Sequence, residues 1–229
     1  MIRKTSARIL SLALALMLAC SALVFSSCSG STSTTKSDGT ATAAQAASTA
    51  AAATTEGGAD MTTGETVNVV IDVKDYGEIK LELYPDIAPK TVANFKKLAE
   101  SGFYDGLTFH RIMKGFMIQG GDPLGNGTGG SDENIYGEFT ANGFKNNLSH
   151  TRGVISMARN GVDMDSASSQ FFIVHQDSTF LDGQYASFGK VTEGMEVVDK
   201  IATDAKPIDD NGTIPSSQQP VINSVKVVE

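Results

Sequence analysis

The chain has 229 residues, 41% of them apolar, and sets 18 Lys and Arg against 26 Asp and Glu for a formal charge of −8. That acidic balance argues against nucleic-acid binding, which needs a basic face. Its two cysteines, Cys20 and Cys28, both lie near the N-terminus, so the rest of the chain holds no disulfide, thiolate metal site or thiol nucleophile.

The first 28 residues have the layout of an export signal: Arg3, Lys4 and Arg8, then a Leu- and Ala-rich apolar run over 9–25, then Ser26-Ser27-Cys28. The run is at the short edge of what spans a bilayer, so a retained anchor helix is the alternative to cleavage. Small residues before Cys28 and a polar tail after it resemble a bacterial lipoprotein signal. That resemblance implies a lipidated, palmitate-bearing Cys28 as the new N-terminus; Cys20, after Leu18-Ala19, fits less well. In residues 29–64, 30 of 36 are Ser, Thr, Ala or Gly with no aromatic, too little apolar surface to offset chain entropy. The expectation is a disordered tether with an r.m.s. reach of roughly 30 to 36 Å. Loss of Arg3, Lys4 and Arg8 with the signal takes the basic count from 18 to 15 against 26 acidic residues, a mature charge of −11. Membrane attachment then rests on the lipid alone, and the protein is expected outside the cytoplasm.

Residues 65–229 suffice for one domain with its own core, expected to be monomeric. Thr66–Val73 and Gly77–Tyr84 read as a hairpin turning at Asp75-Tyr76-Gly77, the second strand alternating apolar and polar at period two. Pro89 opens a helix in which Val92, Phe95, Leu98 and Ala99 share a face, and Gly102 supplies a left-handed stop. Short strands are expected at 107–112, 115–120, 154–158, 170–175 and 185–191, then a helix over 194–201 and a last strand over 221–228. Many short strands without alternating long helices imply an antiparallel barrel or sandwich, and a closed barrel leaves no edge to protect.

No HExxH, GxSxG or paired-cysteine pattern occurs. His110, His150 and His175 stand far apart and read as structural. The segment Phe109–Asp122 is more informative, because period two brings Arg111, Met117 and Gln119 towards one surface; Gln170 and Phe172 share a face in Ser169–Ile173. The bland reading is a half-buried barrel face with an arginine at its edge. Gly125–Gly130, GNGTGG, satisfies the G-x-G-x-x-G spacing of phosphate loops, but Asp122-Pro123-Leu124 intervenes before it, acidic Asp132 and Glu133 follow, and no lysine is present.

The segments FHRIMKGFMIQGGDP, GNGTGG, GVISMAR, SSQFFI and FLDGQYASFGKV, in this order and approximate separation, resemble the cyclophilins over Val67–Glu229. The resemblance implies an eight-stranded antiparallel barrel capped by two α-helices, a cofactor-free peptidyl-prolyl cis/trans isomerase activity, and proline-containing peptides of unfolded exported proteins as partners. By motif it implies catalytic Arg111, Phe116 and Gln119, with Met117, Gly127, Thr128, Ala158, Arg159, Gln170, Phe172, Phe180, Leu181, Tyr185 and Phe188 binding substrate. Phe180 stands where many members have Trp, Arg159 where Asn is common and Tyr185 where His is common, departures that bear on cyclosporin affinity and sequence preference. A non-catalytic proline-peptide binder or chaperone using the same groove is the rival reading.

Overall fold

The computed structural model describes residues 64–228, so the signal segment, Cys28 and all but the last residue of the tether lie outside the described residues. Strands β1 (Val67–Val73) and β2 (Gly77–Leu83) form the expected antiparallel hairpin. Its turn is set by two left-handed residues, Asp75 at φ 66° and Gly77 at φ 118°. Alternation buries Val69, Ile71, Val73, Ile79, Leu81 and Leu83 on one face. Helix α1 (Pro89–Glu100) starts on Pro89 and is followed by Gly102 at φ 72°, as its sequence punctuation predicts.

The remaining elements are β3 (Phe109–Met113), β4 (Met117–Gly120), β5 (Val154–Met157), β6 (Phe171–Val174), β7 (Ser187–Glu193), α2 (Met195–Asp204) and β8 (Ile222–Val228). Several predicted strands begin one or two residues early, because the flanking residues hydrogen-bond in turns rather than ladders. All eight strands belong to one curled antiparallel sheet in the order β3-β4-β6-β5-β7-β2-β1-β8.

The expected closed barrel is not realised as a continuous ladder. Strands β3 and β8, at the two ends of the order, share no ladder; the chain just before each meets at an isolated Thr108–Val221 bridge, flanked by hydrogen bonds between Ile222 and residues 106 and 107. The physical reason lies in the segment before β8, which occupies the outer edge of β3: Ile112 N–H donates to Gly212 O (2.8 Å) and Ile214 N–H to His110 O (2.9 Å). Pro220, with no N–H, accepts from Phe109 but cannot donate in return. The β3 edge is thus covered by a loop rather than by a strand.

Val92, Phe95, Leu98 and Ala99 of α1 and Val197, Val198, Ile201 and Ala202 of α2 join the inward-facing strand residues in the main core. Phe95 is its hub, 5.0 Å from Tyr104 and 5.4 Å from both Phe171 and Phe188, ring centre to ring centre. Strands β5 and β6 read VISM and FFIV with no polar alternation, and every residue in them is buried. Their inner face feeds the main core, while Met117, Val154, Phe172, Val174 and Leu181 form a second cluster on the outer face. A sheet buried on both faces reads as a continuous apolar run, and the second cluster is the floor of the site.

Candidate functional site

A cavity of about 420 Å³ opens above this second cluster. Its apolar floor is Met117, Phe172 and Leu181, which are 1%, 5% and 8% exposed, with Phe116 and Ala158 beside them. So little exposure leaves the floor side chains fixed by their neighbours. Tyr185 stands edge-on to Phe172 at 6.0 Å and closes one side.

Arg111 also lines the cavity and is held from three directions. Its Nε donates to Asn211 O at 2.7 Å, its Nη1 donates to Gln119 Oε1 at 3.1 Å, and Nη2 lies 3.2 Å from Met113 Sδ. The guanidinium also lies 5.9 Å from the Phe116 ring centre. Burial presses its pKa below the ordinary arginine value, with Tyr185 and Asp209 pulling the other way. Arginine nevertheless stays charged at any physiological pH. Behind it, Gln119 Nε2 donates to Gln170 Oε1 at 2.9 Å, and Gln170 Nε2 donates to Gly129 O at 2.7 Å and Gly127 O at 3.2 Å. One hydrogen-bonded chain therefore links the glycine loop, both glutamines, Arg111 and the Asn211 loop.

The GNGTGG segment uses its amides as a phosphate loop would, but on an anion of its own. Asp122 accepts from Leu124 N–H (2.8 Å), Asn126 N–H (3.1 Å) and Gly127 N–H (2.5 Å). Burial raises the Asp122 pKa, but these backbone donors outweigh it and hold the carboxyl below its usual range. With the concave face filled by Asp122, the loop presents Asn126, Gly127 and Thr128 to the cavity.

Beneath the floor, His150 Nδ1 lies 2.8 Å from Asp182 Oδ1 and its Nε2 lies 3.0 Å from Ser156 Oγ. The imidazole stacks on Phe172 at 6.0 Å. Burial lowers the His150 pKa against the opposing effect of Asp182, so the neutral ring donates through Nδ1 to the carboxylate and accepts the Ser156 hydroxyl at Nε2. The connectivity is that of a nucleophilic triad, but His150 and Ser156 are both fully buried. No substrate reaches them, and the arrangement is a polar bracket under Phe172.

Of the residues singled out in the sequence, Arg111, Phe116, Met117, Gln119, Gly127, Thr128, Ala158, Arg159, Phe172, Leu181 and Tyr185 line this one cavity. Gln170 lines an adjoining cavity of about 370 Å³ that shares Gln119, Gly127, Thr128, Ala158 and Arg159. Two residues stand elsewhere. Phe188 is fully buried in the main core against Phe95, because alternation along β7 turns it inward. Phe180 is 67% exposed and packs on the Phe116 ring at 5.5 Å without lining the cavity.

The cavity also takes residues that sequence reasoning missed: His110, Asn126, Asn211 and Thr213. Strict alternation would put His110 on the face opposite Arg111. The β3–β4 register shifts between Phe109 and Arg111, however, and this irregularity lets neighbouring residues face the same space. Asn211 and Thr213 arrive through the loop on the β3 edge, for which no local pattern exists.

The Cyclophilin type peptidyl-prolyl cis-trans isomerase/CLD family matches residues 68–227. Peptidyl-prolyl cis-trans isomerase cypE of Dictyostelium discoideum is 46% identical over 153 residues, covering 65% of this chain and 94% of the relative. Peptidyl-prolyl cis-trans isomerase B of Bacillus subtilis is 51% identical over 124 residues, covering 54% of this chain and 82% of the relative. Among solved structures, a cyclophilin type isomerase of Cryptosporidium parvum, crystallised in the presence of the dipeptide Ala-Pro, superposes with a TM-score of 0.62 at 32% identity, covering 71% of this chain and 99% of that one. A family match across the strands, the helices and the whole cavity wall leaves one conclusion: the chain belongs to the cyclophilin-type peptidyl-prolyl cis-trans isomerases.

Proposed function

We propose that Arg111 and the apolar floor catalyse X–Pro isomerisation in exported proteins, and that the enzyme works outside the cytoplasmic membrane on a lipid anchor at Cys28. The observation that carries the catalytic part is the fixed guanidinium: Asn211 O and Gln119 Oε1 hold Arg111 beside Phe116, Met117, Phe172 and Leu181 while Nη2, with one contact to Met113 Sδ, keeps a second hydrogen available. The solved relative's Ala-Pro dipeptide supports a proline peptide as the ligand.

Rotation about an X–Pro bond breaks amide resonance against a barrier of about 18 to 20 kcal/mol. No covalent bond forms or breaks, so no nucleophile is needed. In the twisted transition state the prolyl nitrogen regains a lone pair, and a fixed donor such as Arg111 stabilises it more than the planar ground state. One hydrogen bond to a charged group is worth about 1.5 to 3 kcal/mol, only about ten- to a hundredfold in rate. The floor supplies the rest by gripping the proline ring and stripping water from the polar, resonance-stabilised ground state. Gln119 orients Arg111, and Gln170 orients Gln119.

Replacing Arg111 with Ala is expected to lower kcat/KM in an NMR exchange or protease-coupled assay at least about tenfold with the folded spectrum unchanged. Full activity in a folded Arg111→Ala protein would sink the mechanism. The same assay separates the enzyme from a proline-peptide binder, which does not raise the exchange rate. The extracytoplasmic part rests on the signal-like N-terminus and Ser26-Ser27-Cys28. The intact mass of membrane-extracted protein should correspond to a chain beginning at an acylated Cys28; a mass beginning at Met1 would overturn the anchor.

A further inference from the structure

The described residues include three arginines, and their pairing differs by position. Arg152, away from the groove, pairs with Asp199 at 2.8 Å. Arg111 and Arg159 both line the proline cavity, and neither makes an ion pair among the described residues. Arg159 is held without a carboxylate: Nε donates to Gln184 O at 2.9 Å and Nη1 to Asn160 O at 2.8 Å. Its guanidinium lies 5.1 Å from the Phe139 ring centre and 5.0 Å from the Tyr185 ring centre. Backbone carbonyls and ring faces fix the head group but leave its net charge uncancelled, and Nη2 has no hydrogen-bond partner among the described residues.

The surroundings sharpen the point. The chain carries 26 carboxylate side chains against 18 basic ones, yet no Asp or Glu lines either the proline cavity or the adjoining one. Asp209, Asp163 and Asp165 each accept from a backbone N–H, of Thr213, Asp165 and Gly137 respectively, and none of them pairs with Arg159. Arg159 lies on the boundary between the two cavities, lining both. A peptide whose proline sits on the apolar floor must carry its neighbouring residues past that boundary.

We propose that Arg159 is a specificity-determining residue that selects substrates with an acidic side chain within two residues of the isomerising proline. The selection rests on the catalytic reading above and adds its charge preference. An acidic side chain meets an unpaired guanidinium in a partly desolvated groove, whereas a basic one meets two like charges with no carboxylate among the residues that line it. Arg111 contributes to the field, but its donors are committed to the reacting bond, so the discrimination falls to Arg159.

The test uses X–Pro peptides carrying Glu, Gln or Lys at each of the two positions on either side of proline, assayed with the full chain. At one position or more, kcat/KM for the Glu peptide should exceed that for the Lys peptide about fivefold or more at low ionic strength, and the ratio should shrink as salt rises. Arg159→Gln should collapse the ratio, and Arg159→Lys should keep most of it, a rescue that loss of rim packing does not explain. Equal Glu and Lys rates at all four positions, or a ratio unchanged in Arg159→Gln, overturns the inference. The Gln peptides keep the two readings apart: if they are turned over while the charge ratio is flat, the catalytic reading stands and the selectivity falls; if none is turned over, the catalytic reading itself fails.

Discussion

Burial lowers the pKa of each of the three histidines in this domain, His110, His150 and His175. Each therefore prefers the neutral ring when folded, and protonation stabilises the unfolded chain more. The sign follows from linkage: stability is full above about pH 6.5 and falls as pH drops through that value, by at most about 1.4 kcal/mol per histidine for each pH unit. Asp122 and Asp182 act in a lower window. Burial raises both, but hydrogen bonds from the backbone and, for Asp182, Ser149 and His150 hold them below the ordinary value, so their contribution persists until pH falls below about 4. The loss between pH 7.5 and 5.5 thus belongs to the imidazoles. His110 is the clean probe, since it is 4% exposed and both ring nitrogens lack a hydrogen-bond partner. His110→Leu removes no hydrogen bond and should flatten the slope of Tm against pH while holding or raising Tm at pH 7.5; an unchanged slope would mean that His110 takes up its proton as readily in the folded chain as in the unfolded one. Nothing local in the sequence points to this residue, because the register shift that turns it towards the cavity depends on β4.

Helix α1 shows how an element can be legible in sequence while its anchor is not. Pro89, the apolar face and Gly102 define its bounds, yet its N-cap is Ala88, with no side-chain cap and no acid in the first turn. The missing cap comes from Glu138, which is fully buried and 48 residues beyond Lys90. Its carboxylate accepts from Lys90 N–H at 3.0 Å, Thr91 N–H at 2.8 Å and Thr91 Oγ1–H at 2.8 Å. A negative charge there satisfies open backbone donors and opposes the positive end of the helix dipole. Glu138→Ala should cost about 2 to 3 kcal/mol, the scale of hydrogen bonds to a charged group, and lower Tm by about 5 to 10 °C for a domain of this size. Glu138→Gln, which keeps an acceptor but not the charge, should lose less; equal losses would show that the charge contributes nothing. Strands β5 and β6 pose the opposite case. Their apolar runs, broken only by Ser156, are visible in the sequence, but the same runs suit a sandwich core equally well, and only the covering cluster around Phe172 shows that their outer face lines the cavity.

For the molecule as a whole, motif order picked out most of the residues that line the cavity, and the lining residues it missed came through long-range pairing. Arg111, Met117 and Gln119 alternate along two adjacent strands, so period two alone brings them together. Asn211 lies 100 residues from the arginine it holds, and it reaches that place because its loop takes the β3 edge that a closed ladder would have given to β8. Phe188 failed for a related reason: its motif neighbours Leu181 and Tyr185 face the cavity, but by β7 the chain has re-entered the sheet and alternation turns Phe188 into the core. The elements that make the groove nevertheless all belong to one stretch of chain. Among the described residues, every buried member of the main core lies between Val69 and Val225, and the cavity is lined by residues from His110 to Thr213. A chain beginning at residue 65 keeps every one of these core and lining residues. A chain comprising residues 65–229 should therefore unfold cooperatively at the Tm of the full-length protein, within about 2 °C, a shift smaller than about 1 kcal/mol would produce. It should also isomerise a soluble X–Pro peptide with the full-length kcat/KM. A fall of more than a few-fold in that constant, with Tm unchanged, would show that the N-terminal segment reaches the groove and takes part in substrate capture.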